Sequence, residues 1–457
     1  MTTSTVKAAI NNAAECTVGY VERSRRNEAA GKDGIAAELI KMDPEKLATF
    51  GFIDGRSTTD QIFTVQKILQ KYREYQVPTH HPFIDFKAAY VGIDRIELWK
   101  IVDETSFPGK LTSMIQATMD GVQNYVRVFG ELSSSFGSRR GLRQGDGLSC
   151  LLFNIALERV MRRAGLNSRG TIFTKSSQFV CFADDMDIIA RHFGTVAESY
   201  TRLKREAANV ELVVNASKTV GGTEHDRIRL ESNVMIDGDT FEVVEEFVYL
   251  GSLLTADNNM KKNTKTHPQW KSCLLRAPKK NFRSKKIHLR TKCTMYKTLI
   301  RPVILYGHEA WIMLEEDLQA LGDSERRVLR TIFGGVQKNG VWRRRMNHEL
   351  AGLYGEPSIQ KEAKAGRIWW AGHVARIPNN NPTKLVFATN PLGTKRWGVQ
   401  QARWVNQVER DLASIGRDRE WRAAATNLEK TNINKELKVN LLKLRKAMNV
   451  AKGTKRR

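Results

Sequence analysis

Two adjacent aspartates, Asp184 and Asp185, lie between two apolar runs, residues 179–182 and 186–190. Carboxylates a few Å apart repel each other by about 4 kcal/mol at an effective dielectric constant near 20, unless a cation lies between them. Oxygen ligands of this kind suit a divalent cation. A solvated β-turn is the alternative interpretation, because Asp is common in turns. The pair is therefore a candidate metal site that needs a further ligand.

A third carboxylate, Asp85, ends an apolar run and lies 99 positions before Asp184. If that run is a strand beside the first two, its acid would complete an oxygen cage for two Mg²⁺ ions, with Mn²⁺ as an alternative. Phosphoryl transfer uses such a pair of metals, roughly 3.5 to 4 Å apart. The three acids together predict two-metal chemistry on a phosphate ester.

The elements that would position these acids follow from hydrophobic spacing. The runs 179–182 and 186–190 predict a β-hairpin with the acids at its tip. Helices are predicted from Ser57, from about Leu148, and over the stretch from Val196 to Val210. Strands and helices alternate without repeats, which predicts an α+β sheet domain ending near residue 260.

Charge is distributed unevenly along the 457 residues, which carry a net +25. Residues 1–260 hold 31 basic and 34 acidic side chains, whereas residues 261–457 hold 43 and 15. A cationic second half predicts a polyanionic partner such as nucleic acid. Trp342 beside Arg343, Arg344 and Arg345 is the strongest local example. Alternatively, the tryptophans of this half are core residues and its arginines a solvated face.

Five cysteines without a close pair predict neither a disulfide framework nor a zinc site. No apolar run reaches the length of a membrane helix, and the first residues lack a secretory signal. The expected location is intracellular, in the cytoplasm or the nucleus, with no membrane partner. The oligomeric state is not predicted.

Three sequences, FIDFKAAY (83–90), GLRQGDGLS (141–149) and FADD (182–185), resemble in this order the palm motifs of reverse transcriptases, most closely those of LINE-type non-LTR retrotransposons. GKDGI (31–35), AELIK (37–41), GRST (55–58), NASKT (215–219) and YLG (249–251) resemble further motifs of the family, so that the likeness covers roughly 27–255. It implies a palm, an antiparallel sheet backed by helices. The implied activity is RNA-directed DNA synthesis on an RNA template from a DNA primer and dNTPs, with two Mg²⁺ ions.

The resemblance also implies roles for individual residues. Asp85, Asp184 and Asp185 match the metal-binding aspartates, and the main-chain carbonyl of Phe86 is an additional ligand. Tyr90 matches the aromatic gate that excludes a ribose 2′-hydroxyl. The alternative for Tyr90 is a core aromatic.

The remaining matched positions contact the substrates in the family. Gln144 matches the residue that touches the template or the incoming nucleotide, and Gly145 lets the backbone approach the nucleic acid. Lys218 matches a lysine that protonates pyrophosphate, and Arg56 would contact phosphate. The alternative for Gln144 and Gly145 is an ordinary polar turn. Lys218 would otherwise be a solvated lysine, and Arg56 a residue beside a helix start.

The sequence departs from the family pattern at two places. Val91 stands where the family usually has an acid after the aromatic gate. Only residues 42–55 separate two motifs between which the family has several dozen residues of fingers. Only some 26 residues precede the first motif, so no upstream endonuclease is expected. These departures predict a truncated element copy, with most of the fingers missing.

The expected organisation is a residual fingers segment (1–50), a palm (51–260), a basic linker (261–290), a mainly helical basic thumb (291–421) and a Lys-rich tail helix (422–457). Two other functions stay open. One is a non-catalytic nucleic-acid-binding relic, and the other is an RNA-dependent RNA polymerase, against which Tyr90 argues.

Overall fold

The computed structural model describes residues 57–104, 108–121, 123–125, 127–128, 131–138, 140–142, 147–166, 171–215, 233–244, 246–255, 279–395 and 403–414. The chain divides into two compact units. The first comprises Met1–Glu245 and Leu385–Lys395, and the second comprises Glu246–Lys384 and Arg396–Arg457. The segments 1–50 and 422–457, and most of 261–290, lie outside the described ranges.

Helices and short strands alternate in the first unit, as the sequence predicts for an α+β fold. Its helices are α1 (Thr58–Glu74), α2 (Ala89–Gly92), α3 (Arg95–Glu104), α4 (Gly109–Met119), α5 (Gly147–Arg163) and α6 (Phe193–Ala208). Its strands are β1 (Phe83–Ile84), β2 (Phe86–Lys87), β3 (Gln123–Asn124), β4 (Arg127–Val128), β5 (Glu131–Leu132), β6 (Phe136–Gly137), β7 (Ser177–Phe182), β8 (Asp185–Ala190), β9 (Val213–Val214), β10 (Asn233–Ile236) and β11 (Asp239–Glu242).

Local signals explain where α1 begins. Ser57 and Asp60 form a capping box, in which the Ser57 N–H donates to the Asp60 carboxylate (2.9 Å) and the Asp60 N–H donates to the Ser57 hydroxyl (3.3 Å). This exchange satisfies two backbone donors at the helix start. The helix predicted from Ser57 is confirmed.

Strand pairing in the first unit is antiparallel throughout its described part. One sheet has the order β1-β8-β7, and a neighbouring pair joins β2 to β9. Phe83 pairs with Asp187 and Ile84 with Met186, whereas Phe86 pairs with Val214 on the other side. The strand interrupted at Asp85 therefore lies between β8 and β9.

The core of the first unit forms where α5 and α6 pack behind this sheet. Helix α6 contacts α5 and β8, and α5 contacts α3. The fully buried apolar side chains at this junction include Phe153, Ala156, Leu157, Ile188, Tyr200 and Leu203. Burial of the α5 and α6 apolar faces stabilises the sheet from one side and positions the strands that carry the acids.

A late segment of the chain returns to the first unit. The Lys71 ammonium group donates hydrogen bonds to the carbonyls of Val386 (2.7 Å) and Phe387 (2.8 Å), and to that of Thr389. A lysine at the end of a helix satisfies carbonyls that have no partner within the helix. Residues 385–395 are therefore held by α1, within the stretch that the sequence assigns to the thumb.

The second unit is mainly helical. It contains the hairpin β12 (Glu246–Tyr249) and β13 (Ser252–Thr255), the helices α7 (Lys279–Arg283), α8 (Leu289–Met295) and α9 (Arg301–Ile304) with a π-helical turn at Tyr296–Ile300, α10 (Glu315–Phe333), the hairpin β14 (Val336–Lys338) and β15 (Val341–Arg343), and the helices α11 (Asn347–Tyr354) and α12 (Ile359–Arg376). Helix α13 (Pro382–Ala388) begins in the second unit, but its residues from Leu385 belong to the first, and α14 (Trp404–Ala413) lies in the second. No helix of the described residues is long and apolar enough to cross a membrane.

The sequence IWWAGHVAR in α12 contributes mainly to packing. Trp370 is 3% exposed, and the neighbouring Arg367 is 1% exposed, with its Nε 3.4 Å from a carboxylate oxygen of Asp411. Burial lowers the pKa of Arg367, and the charge of Asp411 opposes that effect. A buried guanidinium needs such a partner, so this pair joins α12 to α14.

Candidate active site

The predicted hairpin with acids at its tip is present. Strand β7 ends at Phe182 and β8 begins at Asp185, so that Ala183 and Asp184 form the turn. Ala183 has a φ of +54° and is 4% exposed. Residues other than glycine seldom adopt this left-handed conformation, and such strain is typical of functional sites. Asp184 is half-buried and Asp185 is exposed.

Asp85 lies at the interruption between β1 and β2. Because Ile84 pairs with Met186, continuing the register by one residue brings Asp85 opposite Asp185. Side chains at directly opposite positions of antiparallel strands have Cβ atoms about 4.5 to 5.5 Å apart. The backbone therefore places Asp85 and Asp185 at neighbouring positions, and Asp184 lies next to Asp185 in the turn.

The donors at this tip are carboxylate oxygens, which are the ligands that Mg²⁺ prefers. Within the described residues, no group of three His, Cys, Asp or Glu side chains is arranged to hold a metal ion. Asp85, Asp184 and Asp185 are among the described residues, so the donor set agrees with magnesium in its chemistry, but the three side chains are not arranged as a metal site in this structure. The fourth candidate ligand, the main-chain carbonyl of Phe86, belongs to β2, where the Phe86 side chain is 3% exposed.

Tyr90 packs beside the hairpin tip. Its ring stacks on Phe153 of α5, with the centroids 4.9 Å apart and the planes inclined by 27°. Burial raises the pKa of the Tyr90 phenol, and a hydrogen bond with Cys150 and the negative charge of Asp184 raise it further. Tyr90 therefore stays protonated and lies within electrostatic reach of Asp184.

The glycine-rich loop predicted to contact the substrates begins beside Tyr90. The Leu142 N–H donates to the Tyr90 carbonyl (2.6 Å), and the Gly141 N–H donates to the Ile93 carbonyl (2.9 Å). Gly141 has a φ of +84°, and a Cβ there would lie 2.8 Å from the Val91 carbonyl oxygen. Only glycine satisfies both conditions. The start of the loop is thus fixed against the backbone that carries Tyr90.

Sequence reasoning missed Arg95, which holds the same loop from the other side. Its guanidinium donates to the carbonyls of Gly141 (2.8 Å), Ser138 (2.9 Å) and Met119 (3.2 Å). Asp94, just before it, accepts hydrogen bonds from backbone N–H groups of the first turn of α3. The N-cap was visible in the sequence as an Asp at a helix start, but the partners of Arg95 are distant carbonyls that no local pattern indicates.

A second missed feature is a buried pair two residues beyond Asp185. Asp187 is fully buried, and its Oδ2 lies 3.0 Å from Nδ1 of His81, while Nε2 of His81 lies 3.1 Å from the Thr79 hydroxyl. Burial raises the pKa of Asp187, and His81 opposes that effect. The signal was an acid inside an otherwise apolar strand, because a carboxylate there needs a partner.

Four predicted site residues, Arg56, Gln144, Gly145 and Lys218, lie outside the described residues. Their roles remain predictions from the family resemblance.

The described tryptophans of the second unit separate into two groups. Trp311, Trp370 and Trp404 are at most 3% exposed, so the core interpretation holds for these three. The Trp404 indole N–H donates to the Glu309 carbonyl (2.7 Å), as expected for a buried indole. Trp342 is 70% exposed and Trp369 is 44% exposed. Base stacking is thus open only to the latter two among the described tryptophans.

Comparison with known proteins indicates the family of the first unit. The family model described as reverse transcriptase (RNA-dependent DNA polymerase) matches residues 35–254. A transposon-derived protein of Caenorhabditis elegans is 25% identical over 249 residues, which cover 52% of this chain and 86% of that protein. The Pol polyprotein of the type-1 retrotransposable element R2 of Popillia japonica is 26% identical over 271 residues, 54% of this chain.

The chain spans 43% of the length of that polyprotein. Among solved structures, telomerase of Candida albicans in complex with a fragment of telomeric RNA aligns with a TM-score of 0.37 and 13% identity, over 94% of this chain and 57% of the telomerase. The match over residues 35–254, with the palm motifs in the family order, assigns this part of the chain to the reverse transcriptases, and its relatives indicate the non-LTR retrotransposon type.

Proposed function

We propose that the chain catalyses RNA-directed DNA synthesis at the tip of the β7–β8 hairpin, with an RNA template, a DNA primer and dNTPs as substrates. The observation that carries the proposal is the pairing of Ile84 with Met186, which puts Asp85 and Asp185 at the adjacent ends of β1 and β8, with Asp184 next in the turn. Family membership supports nucleotidyl transfer as the reaction.

Asp85, Asp184 and Asp185 would hold Mg²⁺ or Mn²⁺, with the Phe86 carbonyl as a further ligand. When bound, a pair of such ions activates the attacking 3′-hydroxyl and neutralises the charge that develops on pyrophosphate. Asn215 orients Asp85, because its side-chain amide donates to Oδ2 at 3.4 Å. The positive φ of Ala183 sets the direction in which the turn presents Asp184.

The other residues position the substrates. The Tyr90 ring, supported by Phe153, would block the space of a ribose 2′-hydroxyl and so select dNTPs. Gly141 and Leu142 fix the start of the loop, which would place Gln144 and Gly145 against the template or the nucleotide. Lys218 would donate a proton to pyrophosphate, and Arg56 would bind phosphate.

Primer extension on an RNA template tests the proposal, with dNTPs and rNTPs in parallel reactions. We expect extension with dNTPs, and a loss of at least about 100-fold in Asp184→Asn and Asp185→Asn, because each removes a charge that holds the metals. Asp103→Asn is the matched control, since this exposed acid of α3 lies outside the motifs. Equal extension by Asp184→Asn would refute the catalytic assignment. Extension with rNTPs alone would indicate an RNA polymerase.

A second candidate function is nucleic-acid binding without catalysis. The excess of basic over acidic side chains in residues 261–457 favours it, since neutralising phosphates releases counterions whether or not synthesis follows. It predicts salt-dependent binding of RNA and DNA with no dNTP incorporation by the parent chain.

A further inference from the structure

An exposed β-hairpin follows the longest helix of the second unit. Its strands are β14 and β15, and its two-residue turn is Asn339–Gly340, with φ angles of +52° and +79°. Two positive φ angles define a type I′ turn, which matches the twist of the paired strands. We call Val336–Arg343 with its turn the tryptophan hairpin. It has a defined conformation and stands in a region that the sequence predicts to be helical.

The indole of Trp342 lies on the surface of this hairpin. Trp342 is 70% exposed, and its atoms Cε3 and Cζ3 lie 3.4 and 3.8 Å from the place of a Cβ on Gly335. The missing side chain at Gly335 thus lets one edge of the indole rest against the backbone. Because the ring is supported on one side, it loses little conformational freedom when a flat partner covers the other side.

The acidic residue nearest in sequence to the tryptophan hairpin, Glu349, already has an arginine partner. Arg343 donates to both carboxylate oxygens of Glu349, at 2.6 and 2.9 Å, and these bonds, together with one from the Met346 N–H, lower the pKa of Glu349 to about 2. This bidentate pair ties β15 to the start of α11. It also neutralises Glu349, which leaves the neighbouring arginines as the dominant charges.

Arg344 lies within electrostatic reach of a further arginine, Arg330, which also feels the charge of Arg326. Burial lowers the pKa of Arg330, and the positive charges of Arg344 and Arg326 lower it further. Arg344 is exposed, and neither Arg344 nor Arg345 has an acidic partner among the described residues. Arginines that repel one another are stabilised by a bound anion, and a guanidinium suits phosphate oxygens.

We propose that the tryptophan hairpin, with Arg344 and Arg345, binds single-stranded nucleic acid, with the Trp342 indole stacked on an unpaired base. Stacking needs a base that is not already stacked in a duplex, and the arginines need the flanking phosphates. An acidic protein would satisfy the arginines but would leave the indole exposed. The proposal does not depend on the proposed polymerase activity, since binding requires neither dNTPs nor metal.

The test measures binding of the full chain, without dNTPs or Mg²⁺, to a short labelled single-stranded RNA, to DNA of the same sequence and to the matching duplex, over a range of KCl concentrations. We expect Trp342→Ala to weaken binding of the single strands by about 5- to 150-fold with an unchanged salt slope. Trp342→Phe should retain most of the affinity. The double variant Arg344→Gln/Arg345→Gln should reduce the slope of log K against log salt by about 1.4.

Two control variants remove exposed apolar groups without removing the proposed stack. Val341→Ala changes a 68% exposed neighbour in β15, and Trp369→Ala removes a 44% exposed indole of α12 that already stacks on His373. Both should bind within twofold of the parent. The proposal is overturned if Trp342→Ala binds single strands as the parent does, or if it weakens duplex binding equally. Because the assay contains neither dNTPs nor Mg²⁺, Trp342-dependent binding by a parent chain that shows no primer extension would refute the polymerase proposal alone. Equal effects on RNA and DNA would show that the hairpin reads the base and phosphate but not the sugar.

Discussion

Asn215 is hydrogen-bonded to Asp85 at two points. Its backbone N–H donates to the Asp85 carbonyl at 2.8 Å, and its side-chain amide donates to Oδ2 at 3.4 Å. These bonds join the residue after β9 to the acid at the interruption between β1 and β2. A residue that orients a metal ligand affects affinity for the metal even though it does not touch the metal itself.

We predict that Asn215→Ala lowers the rate of dNTP incorporation by about 10- to 100-fold and raises the Mg²⁺ concentration needed for half-maximal rate. The backbone bond survives in this variant, so the fold should be retained. Primer extension over a Mg²⁺ series measures both effects. Asn209→Ala, at an exposed asparagine after α6, is the matched control. An unchanged Mg²⁺ dependence in Asn215→Ala would contradict the orienting role.

We predict that Tyr90→Val increases the ratio of kcat/KM for rNTPs to that for dNTPs by about 10- to 100-fold, because it removes the ring that would meet the 2′-hydroxyl. Parallel primer extensions with the two nucleotide classes measure the ratio. Tyr90→Phe keeps the ring stacked on Phe153 and should leave the ratio near that of the parent. If Tyr90→Val discriminates as well as Tyr90→Phe, Tyr90 is only a packing residue.

The buried pair of His81 and Asp187 predicts unequal effects of removing its two members. We expect His81→Leu to destabilise the first unit by about 3 to 5 kcal/mol, because it leaves a buried carboxylate without its partner. Asp187→Asn should cost less, since an amide oxygen can still accept from His81. Hydrogen exchange of the β8 amides reports the difference.

A double variant completes this comparison. His81→Leu/Asp187→Leu should recover much of the loss, because no charge is then left buried. If the double variant is less stable than His81→Leu, overpacking at this position dominates over the charge.

Two helical glycines of the second unit predict opposite effects of the same substitution. A Cβ at Gly366 would lie 2.2 Å from Nε2 of His308, and His308 is buried and bound through Nδ1 to the Leu305 carbonyl. Gly366→Ala should therefore destabilise α12 by about 1 to 3 kcal/mol. A Cβ at Gly352 of α11 would meet no other group within 4 Å, so Gly352→Ala should stabilise α11 by about 0.5 to 1 kcal/mol. Hydrogen exchange of the backbone amides of α12 and α11 distinguishes these outcomes. Equal changes in the stability of the two helices would show that helix propensity alone determines the effect of the substitution.

Local patterns predicted much of the first unit. The helix after Ser57, the helix near Leu148, the helix from about Val196 and the hairpin around Ala183–Asp184 are all present. The motif order also predicted the family. The hairpin β14–β15 was not predicted, although Asn339–Gly340 is a strong turn signal, because the surrounding basic stretch was interpreted as helix as a whole.

The sequence by itself determined the elements and the chemistry available to them, since capping, periodicity and motif spacing act over a few residues. Only the tertiary structure decided which partners those residues meet. His81 contacts Asp187, which is 106 positions away in the sequence, and Lys71 donates to the carbonyl of Val386, which is 315 positions away. It likewise decided that Trp404 is buried while Trp342 faces solvent. The physical reason is that burial and long-range hydrogen bonding depend on how whole helices and strands pack together. Local sequence spacing does not indicate which distant helix or strand will contact a given residue.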